Sequence, residues 1–189
     1  MTAQQGVTSE PGSEPKVLVS AASRYGSTAA IAEAIGAELT ARGASVTVVP
    51  PAEVTSVDDY DVVIIGSAVY TGHWLGDARD MAARFRDALR ARSVWLFSSG
   101  PVGEPTGKLA KSMGQDPVEV SDILAATNAH GHRMFPGKLD RKNLHGAQRA
   151  GLLFFRGLQG DFRDWEAVRE WADQVARTLP ASLRGGSRS

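Results

Sequence analysis

The chain has 189 residues, 42% of them hydrophobic and 22% charged, with 21 basic against 21 acidic side chains and no cysteine. This length supports one sizeable core and one domain, and the composition is that of an ordinary globular protein. Electrical balance removes any general attraction to nucleic acid or acidic membranes, and the lack of cysteine excludes disulfides, thiolate catalysis and cysteine-ligated clusters. No apolar stretch has the length needed to span a bilayer. Residues 1–15 are polar, rich in Gly, Pro, Ser and Glu, and lack the apolar middle of a secretory signal. They read as a disordered tail, as do residues 181–189, leaving one domain over 16–180 and a cytoplasmic location as the expectation.

The first strand is predicted over Lys16–Ser20, and a hydroxyl-rich loop, Ala22–Thr28, follows it. A helix over Ser27–Ala41 presents Ile31, Ile35 and Leu39 on one face and stops at Gly43. Ser45–Val49 is a valine-rich strand ended by Pro50-Pro51, and Asp61–Gly66 is a strand apolar enough to be buried on both faces. A helix over Leu75–Ala91 has an inner stripe of Leu75, Ala78, Ala82, Phe85 and Leu89, with Arg79, Arg84, Arg86 and Arg90 largely off it. Ser93–Ser98 is the fourth strand. Asp116-Pro117 has the pattern of a helix start, and Val120, Ile123, Leu124 and Thr127 follow at helical spacing. His132–Phe135 is a short fifth strand. The last helix opens at an Asp164 cap and repeats Trp165, Val168, Ala172, Val175 and Leu179 on its packed face.

Strands alternating with helices predict an α/β fold, a doubly wound five-stranded parallel sheet with helices on both faces. Ligands of such sheets sit beyond the carboxyl ends of the strands. Three loops leave those ends: Ala22–Thr28, Ser67–Trp74 and Ser99–Gly103, all containing Gly and hydroxyl residues. In the first, Ser23, Ser27 and Thr28 offer hydroxyls, Gly26 allows close backbone approach, and Arg24 either adds charge or points to solvent. Hydroxyls and backbone N–H groups converging on a helix N-terminus suit phosphate, which suggests a mononucleotide site. The competing reading is an ordinary capped turn.

The second loop, Ser67-Ala68-Val69-Tyr70-Thr71-Gly72-His73-Trp74, sets two aromatics and a histidine beside a glycine. A flat heteroaromatic ring needs such a platform. Tyr70 is the better stacking candidate, because Trp74 also fits packing under the second helix. His73 reads equally as a ligand or proton-transfer group and as a surface residue. In the third loop, Ser99-Gly100-Pro101-Val102-Gly103, small residues let backbone amides reach a ring edge, and a plain Gly-Pro turn is as good a reading.

The loop Ser23-Arg24-Tyr25-Gly26-Ser27-Thr28 resembles the phosphate loop of the flavodoxin-like superfamily, with Tyr25 where simple flavodoxins usually have Thr. The run Asp59–Trp74, with its Ile-Gly and Gly-His pattern, and the segment Asp164–Arg169 resemble the menaquinone-dependent protoporphyrinogen dehydrogenase group of flavodoxin-domain proteins. The resemblance covers most of Lys16–Leu179. It implies FMN as cofactor, with phosphate at Ser23–Thr28 and the isoalloxazine ring between Ser67–His73 and Ser99–Gly103. It also implies a quinone or a redox partner protein, and a porphyrinogen-like substrate. Residues 104–115 and 141–163 match the true dehydrogenases poorly, and no catalytic side chain is assigned.

Other motifs fail on their chemistry. Gly103–Leu109 resembles a P-loop but is one residue short between its glycines and has Leu109 where Ser or Thr is required. No dinucleotide fingerprint follows the first strand. A receiver domain needs an acidic phosphate acceptor where Gly66-Ser67 stands. His130 and His132 lack further ligands for a zinc site, so no metal is expected. Leu152–Phe155, flanked by Arg149 and Arg156, reads as an interfacial helix meeting a membrane quinone or partner, or as a helix folded onto the core. The stripe Leu144, Ala147, Gly151, Phe155 and Leu158 favours the second. Arg133, Lys138 and Arg141 are candidates to meet substrate carboxylates. Balanced charge leans toward an oxidoreductase with its own substrate over a strongly acidic electron carrier. Tyr25 keeps open a flavin-free interaction module.

Overall fold

Valine- and isoleucine-rich runs, stiff at χ1 and suited to a pleated surface, form the centre of the molecule. The computed structural model describes residues 14–100, 116–139 and 160–180. The chain runs β1 (Lys16–Ala22), α1 (Ser27–Ala41), β2 (Ser45–Val49), a short 3-10 turn (Pro51–Glu53), β3 (Val62–Tyr70), β4 (His73–Trp74) and α2 (Gly76–Arg84). It continues with α3 (Arg86–Leu89), β5 (Ser93–Gly100), α4 (Val120–Thr127), β6 (His132–Pro136), β7 (Lys138–Leu139), β8 (Gly160–Asp161) and α5 (Trp165–Ala176).

Five strands pair in parallel in the order β2-β1-β3-β5-β6, which is the doubly wound sheet that the alternation implies. Val17 of β1 pairs with Val46 on one side and Val62 on the other. The chain therefore winds one way from β1 and then the other. A crevice opens where the winding reverses, at the carboxyl ends of β1 and β3. β4 lies antiparallel on the end of β3, and β7 and β8 form a separate ribbon. Neither β4 nor this ribbon follows from the sequence pattern.

Alternate strand residues feed two cores. Val17, Val19, Ile64, Phe97 and Phe135 meet Ile31, Ile35 and Leu39 of α1 and Val168, Trp171 and Val175 of α5. Leu18, Val63, Ile65 and Leu96 meet Ala78 and Met81 of α2, Leu89 of α3 and Ile123 of α4. Each such side chain contributes roughly 1.5–3 kcal/mol by leaving water. Trp171 stands edge-on to Phe97 and Phe135, with centroids 6.1 and 5.8 Å away. Residue 66 has to be glycine, because a Cβ there would lie 2.1 Å from the Phe97 ring.

The helix α1 ends as its sequence indicates, with Gly43 at φ +87°. Asp164 caps α5 by accepting from the Ala167 N–H at 2.9 Å. Several boundaries differ from expectation. The helix predicted over Leu75–Ala91 is two helices, since Phe85 leaves helical geometry (φ −103°, ψ 14°). There Arg84 lies over the Phe85 ring and donates to the carbonyls of Pro51 and Val54 at 3.4 and 2.9 Å. Asp116-Pro117 does not start α4. Glu119 holds the cap position, and the Asp116 carboxylate is turned to His132 instead. Finally, β1, β3 and β5 all run past their predicted ends, to Ala22, Tyr70 and Gly100. Nearly all of both predicted tails, most of 141–163 and the P-loop-like stretch lie outside the described residues.

Candidate functional site

At the carboxyl end of β1 the chain makes a short connection into α1. The Gly26 N–H donates to Ser23 Oγ at 3.1 Å, closing the turn. Gly26 takes φ +82° at the N-cap, and no neighbour lies within 4 Å of where its Cβ would be, so glycine is needed there for conformation alone. The first intrahelical bond runs from the Ala30 N–H to the Gly26 carbonyl at 3.0 Å. The N–H groups of Ser27, Thr28 and Ala29 precede it, the cap residue contributes no side-chain bond, and the first turn has no acidic residue. That is the positive, donor-rich end to which an anion binds. Thr28 is buried, while Ser27 Oγ accepts from the Lys138 N–H at 3.0 Å, which brings β7 beside this helix end.

Across the crevice the expected loop Ser67–Trp74 is a hairpin. Ser67–Tyr70 continues β3, and Thr71 (φ +51°) and Gly72 (φ +82°) form a two-residue turn into His73-Trp74. Both turn residues have positive φ, as a primed turn requires, and for the β-branched Thr71 that backbone is strained. Ser67 is buried. Its hydroxyl donates to the Ala68 carbonyl and accepts from the Leu75 N–H, both at 2.9 Å, so this side chain braces the hairpin's base. Ala68 is also buried, and Val69 packs against the α2-side core.

Tyr70 is half-buried at the hairpin's tip. Tyr25, 39% exposed, meets its ring edge-on with centroids 6.4 Å apart, and the Arg24 guanidinium lies over the ring 5.2 Å from its centre. Burial lifts the Tyr70 phenol above its ordinary pKa, a shift that Tyr25 reinforces and Arg24 opposes. The first and second loops therefore touch through these three side chains.

The segment 116–119 holds the hairpin from beneath. His73 Nδ1 donates to Glu119 Oε1 at 2.8 Å, the Trp74 N–H to Glu119 Oε2 at 3.3 Å, and the Val118 N–H to the Gly72 carbonyl at 3.1 Å. Arg79 donates to the same Glu119 carboxylate at 3.1 Å. Burial raises the Glu119 carboxyl, but the hydrogen bonds from His73 and from backbone N–H groups outweigh it and hold the group below its ordinary value.

A second chain of bonds runs inward. Trp74 Nε1 donates to Ser98 Oγ at 2.7 Å, Ser98 Oγ lies 2.7 Å from His132 Nε2, and His132 Nδ1 lies 2.9 Å from Asp116 Oδ1. A carboxylate only accepts, so the proton sits on Nδ1 and Nε2 accepts from the Ser98 hydroxyl. Burial holds His132 below its ordinary imidazole pKa, opposed by Asp116. The connectivity is that of a nucleophile, base and orienting acid. However, Ser98 is 0% exposed and is covered by the indole, so it presents no nucleophile to a substrate. Trp74, at 2% exposed, is a core residue and not a ring platform.

In the third loop Ser99 is buried and Gly100 half-buried at the end of β5; Pro101, Val102 and Gly103 lie outside the described residues. Gly137 packs against this end so closely that a Cβ would lie 2.4 Å from the Gly100 carbonyl. His130 stacks on Trp95 with centroids 5.2 Å apart. Among the described residues no group of three or more His, Cys, Asp or Glu side chains could hold a metal. Arg133 and Lys138 are exposed, and Arg141 is outside the described residues. Ser98, Asp116 and Glu119 are the participants that sequence reasoning missed. The one available signal was the Ser98-Ser99 pair closing the apolar run Val94–Phe97. Among the described residues no helix is long and apolar enough to cross a membrane.

Among known protein families, the sequence model of the flavodoxin domain matches residues 18–164. No curated protein sequence matches the chain. Similar solved structures include oxidised flavodoxin 1 from Bacillus cereus, 13% identical with a TM-score of 0.59, covering 87% of this chain and 99% of that one. A flavodoxin from the domain Archaea is 16% identical with a TM-score of 0.55, covering 86% and 96%. Rubredoxin oxygen:oxidoreductase from Desulfovibrio gigas is 16% identical with a TM-score of 0.55, covering 91% of this chain and 38% of that one.

Proposed function

The chain belongs to the flavodoxin domain family, and from that premise we propose that residues 16–180 form an FMN-binding domain that works as an oxidoreductase. FMN is the cofactor to which the family points. The residues at the β1/β3 crevice fit it. The observation that carries the reading is the α1 N-terminus, capped by Gly26 without a side-chain bond and free of acidic residues, facing a half-buried Tyr70 across the crevice. The first suits a phosphate and the second a flat ring.

FMN when bound supplies the electron-transfer chemistry, and the protein orients it and tunes it. On this reading Ser23, Ser27, Thr28 and the backbone of the first turn of α1 hold the phosphate. Tyr70 supplies the wall for the ring. Ser67 offers only backbone, with Ala68, Val69, Thr71 and Gly72, because its hydroxyl is committed to Leu75 and Ala68. His73, fixed through Nδ1 by Glu119, keeps Nε2 for a hydrogen bond or a proton at the hairpin tip. Ser99 and Gly100 close the third side, with Pro101, Val102 and Gly103 as their proposed continuation.

Within that reading we place the chain nearest the quinone-linked porphyrinogen dehydrogenases, acting in the cytoplasm or at the surface of a membrane. The Gly72-His73 hairpin and the balanced charge support that placement. The alternative is a carrier that passes electrons between partner proteins. A visible spectrum of the purified protein, with release and identification of the pigment, tests the first level: bound FMN is expected, and colourless protein that takes up no FMN contradicts it. Oxidation of a porphyrinogen with a quinone as acceptor tests the second level. Turnover supports the dehydrogenase, and reduction of a partner protein without such turnover identifies the carrier.

A further inference from the structure

Arg24 occupies a position that the phosphate and ring readings both claim. It lies in the β1–α1 turn, two residues before the Gly26 cap, yet its guanidinium rests over the Tyr70 ring across the crevice. The side chain is exposed, so it stands on the solvent side of a ring that the protein half buries. A flat ligand stacking on Tyr70 from that side meets the guanidinium first. The cation can leave an aromatic face at little cost when an anion is offered nearby, since an exposed cation–π contact is weaker than a charge-assisted bond to phosphate. The nearby anion site is the first turn of α1, adjoining Arg24 in the chain.

We propose that Arg24 makes the crevice selective for the phosphorylated flavin: it covers Tyr70 until a phosphate at the α1 N-terminus draws it away, so that FMN clears its own stacking face and riboflavin does not. This inference rests on the FMN reading above. It makes phosphate and ring binding cooperative, with the same coupling in either direction. Tyr25, edge-on to Tyr70, holds the ring in place while the guanidinium moves.

The test is a titration of flavin-free protein with FMN and separately with riboflavin, followed by flavin fluorescence, for the unaltered chain, Arg24→Ala and Arg24→Lys. In Arg24→Ala, FMN affinity falls about tenfold and riboflavin affinity rises about threefold, so the preference for FMN narrows from both sides. Arg24→Lys keeps the charge without the planar stack and retains most of the FMN affinity. Inorganic phosphate added to the unaltered protein tightens riboflavin binding, and in Arg24→Ala that gain disappears. Unchanged thermal unfolding of the variants, expected for an exposed side chain, keeps the comparison clean. Two outcomes overturn the proposal while leaving the FMN reading intact: FMN binds but both flavins shift by the same factor in Arg24→Ala, or phosphate weakens riboflavin binding. If the unaltered protein binds neither flavin, the FMN reading fails and this inference with it.

Discussion

The two walls of the crevice are built differently. The β3–β4 hairpin is strapped from below by Glu119, by the Val118 N–H and by the bonds through Ser98, His132 and Asp116 that end on Trp74. The β1–α1 turn has a Ser23 bond to Gly26 and the Lys138 N–H on Ser27, and its first-turn N–H groups stand ahead of the first intrahelical bond. One wall is therefore held by bonds within the protein, and the other presents N–H groups that no intrahelical bond uses. A ring needs a rigid platform, whereas a phosphate needs unspent hydrogen-bond donors.

The largest break in this asymmetry should come from Trp74→Ala. It empties a buried site and cuts the inward chain at its end, so about 3–5 kcal/mol of unfolding free energy is expected to be lost. Denaturant unfolding measures this, and a loss under 1 kcal/mol would mean that the hairpin is not anchored through the indole.

Acid should loosen the braced wall next. The folded-state pKa of His132 is depressed by burial, so its stabilising effect is complete above the ordinary imidazole pKa and fades as pH falls through the lower folded value. Glu119 is likewise depressed, so its contribution holds above the ordinary carboxylate pKa and is lost only at more acid pH. Unfolding midpoints followed against pH should show two steps, the upper from His132 and the lower from Glu119. His132→Gln should remove the upper step and spare the lower; a profile identical to that of the unaltered protein would contradict the assignment.

A finer contrast lies in the two turn glycines, Gly26 and Gly72, both at φ +82° with open space around a would-be Cβ. Alanine costs roughly 1 kcal/mol of backbone strain in either place if the backbone holds still. The strapped hairpin cannot relax, so Gly72→Ala should cost that full amount and Gly26→Ala visibly less. Equal costs would erase the distinction between the walls. Smallest of all, Ser23→Ala should cost about 0.5–1 kcal/mol, the worth of one exposed turn hydrogen bond. Its effect should register in FMN affinity more than in thermal unfolding.

Much of the fold could be read in the sequence because its signals are local. Val62-Val63-Ile64-Ile65 reads as a doubly covered strand, Ile31-Ile35-Leu39 as a helix stripe, and Asp164 as a cap, and all three are found in place. The hairpin was less legible. Ser67-Ala68 reads as the start of a loop, whereas both continue β3 and the Ser67 hydroxyl braces Leu75. What sequence could not supply was pairing at long range. Asp116 has the local signature of a cap, and only the fold places it against His132 on β6. Trp74 was ambiguous until Ser98, on β5, gave its indole a partner.

The most direct measurement is amide hydrogen exchange with and without saturating FMN. Slowed exchange at Ser27, Thr28 and Ala29 is expected when FMN is added, with little change at Trp74 and Val118, whose N–H groups are already bonded. Exchange that is unchanged at the start of α1, or slowed only in elements away from the β1/β3 crevice, would contradict the account.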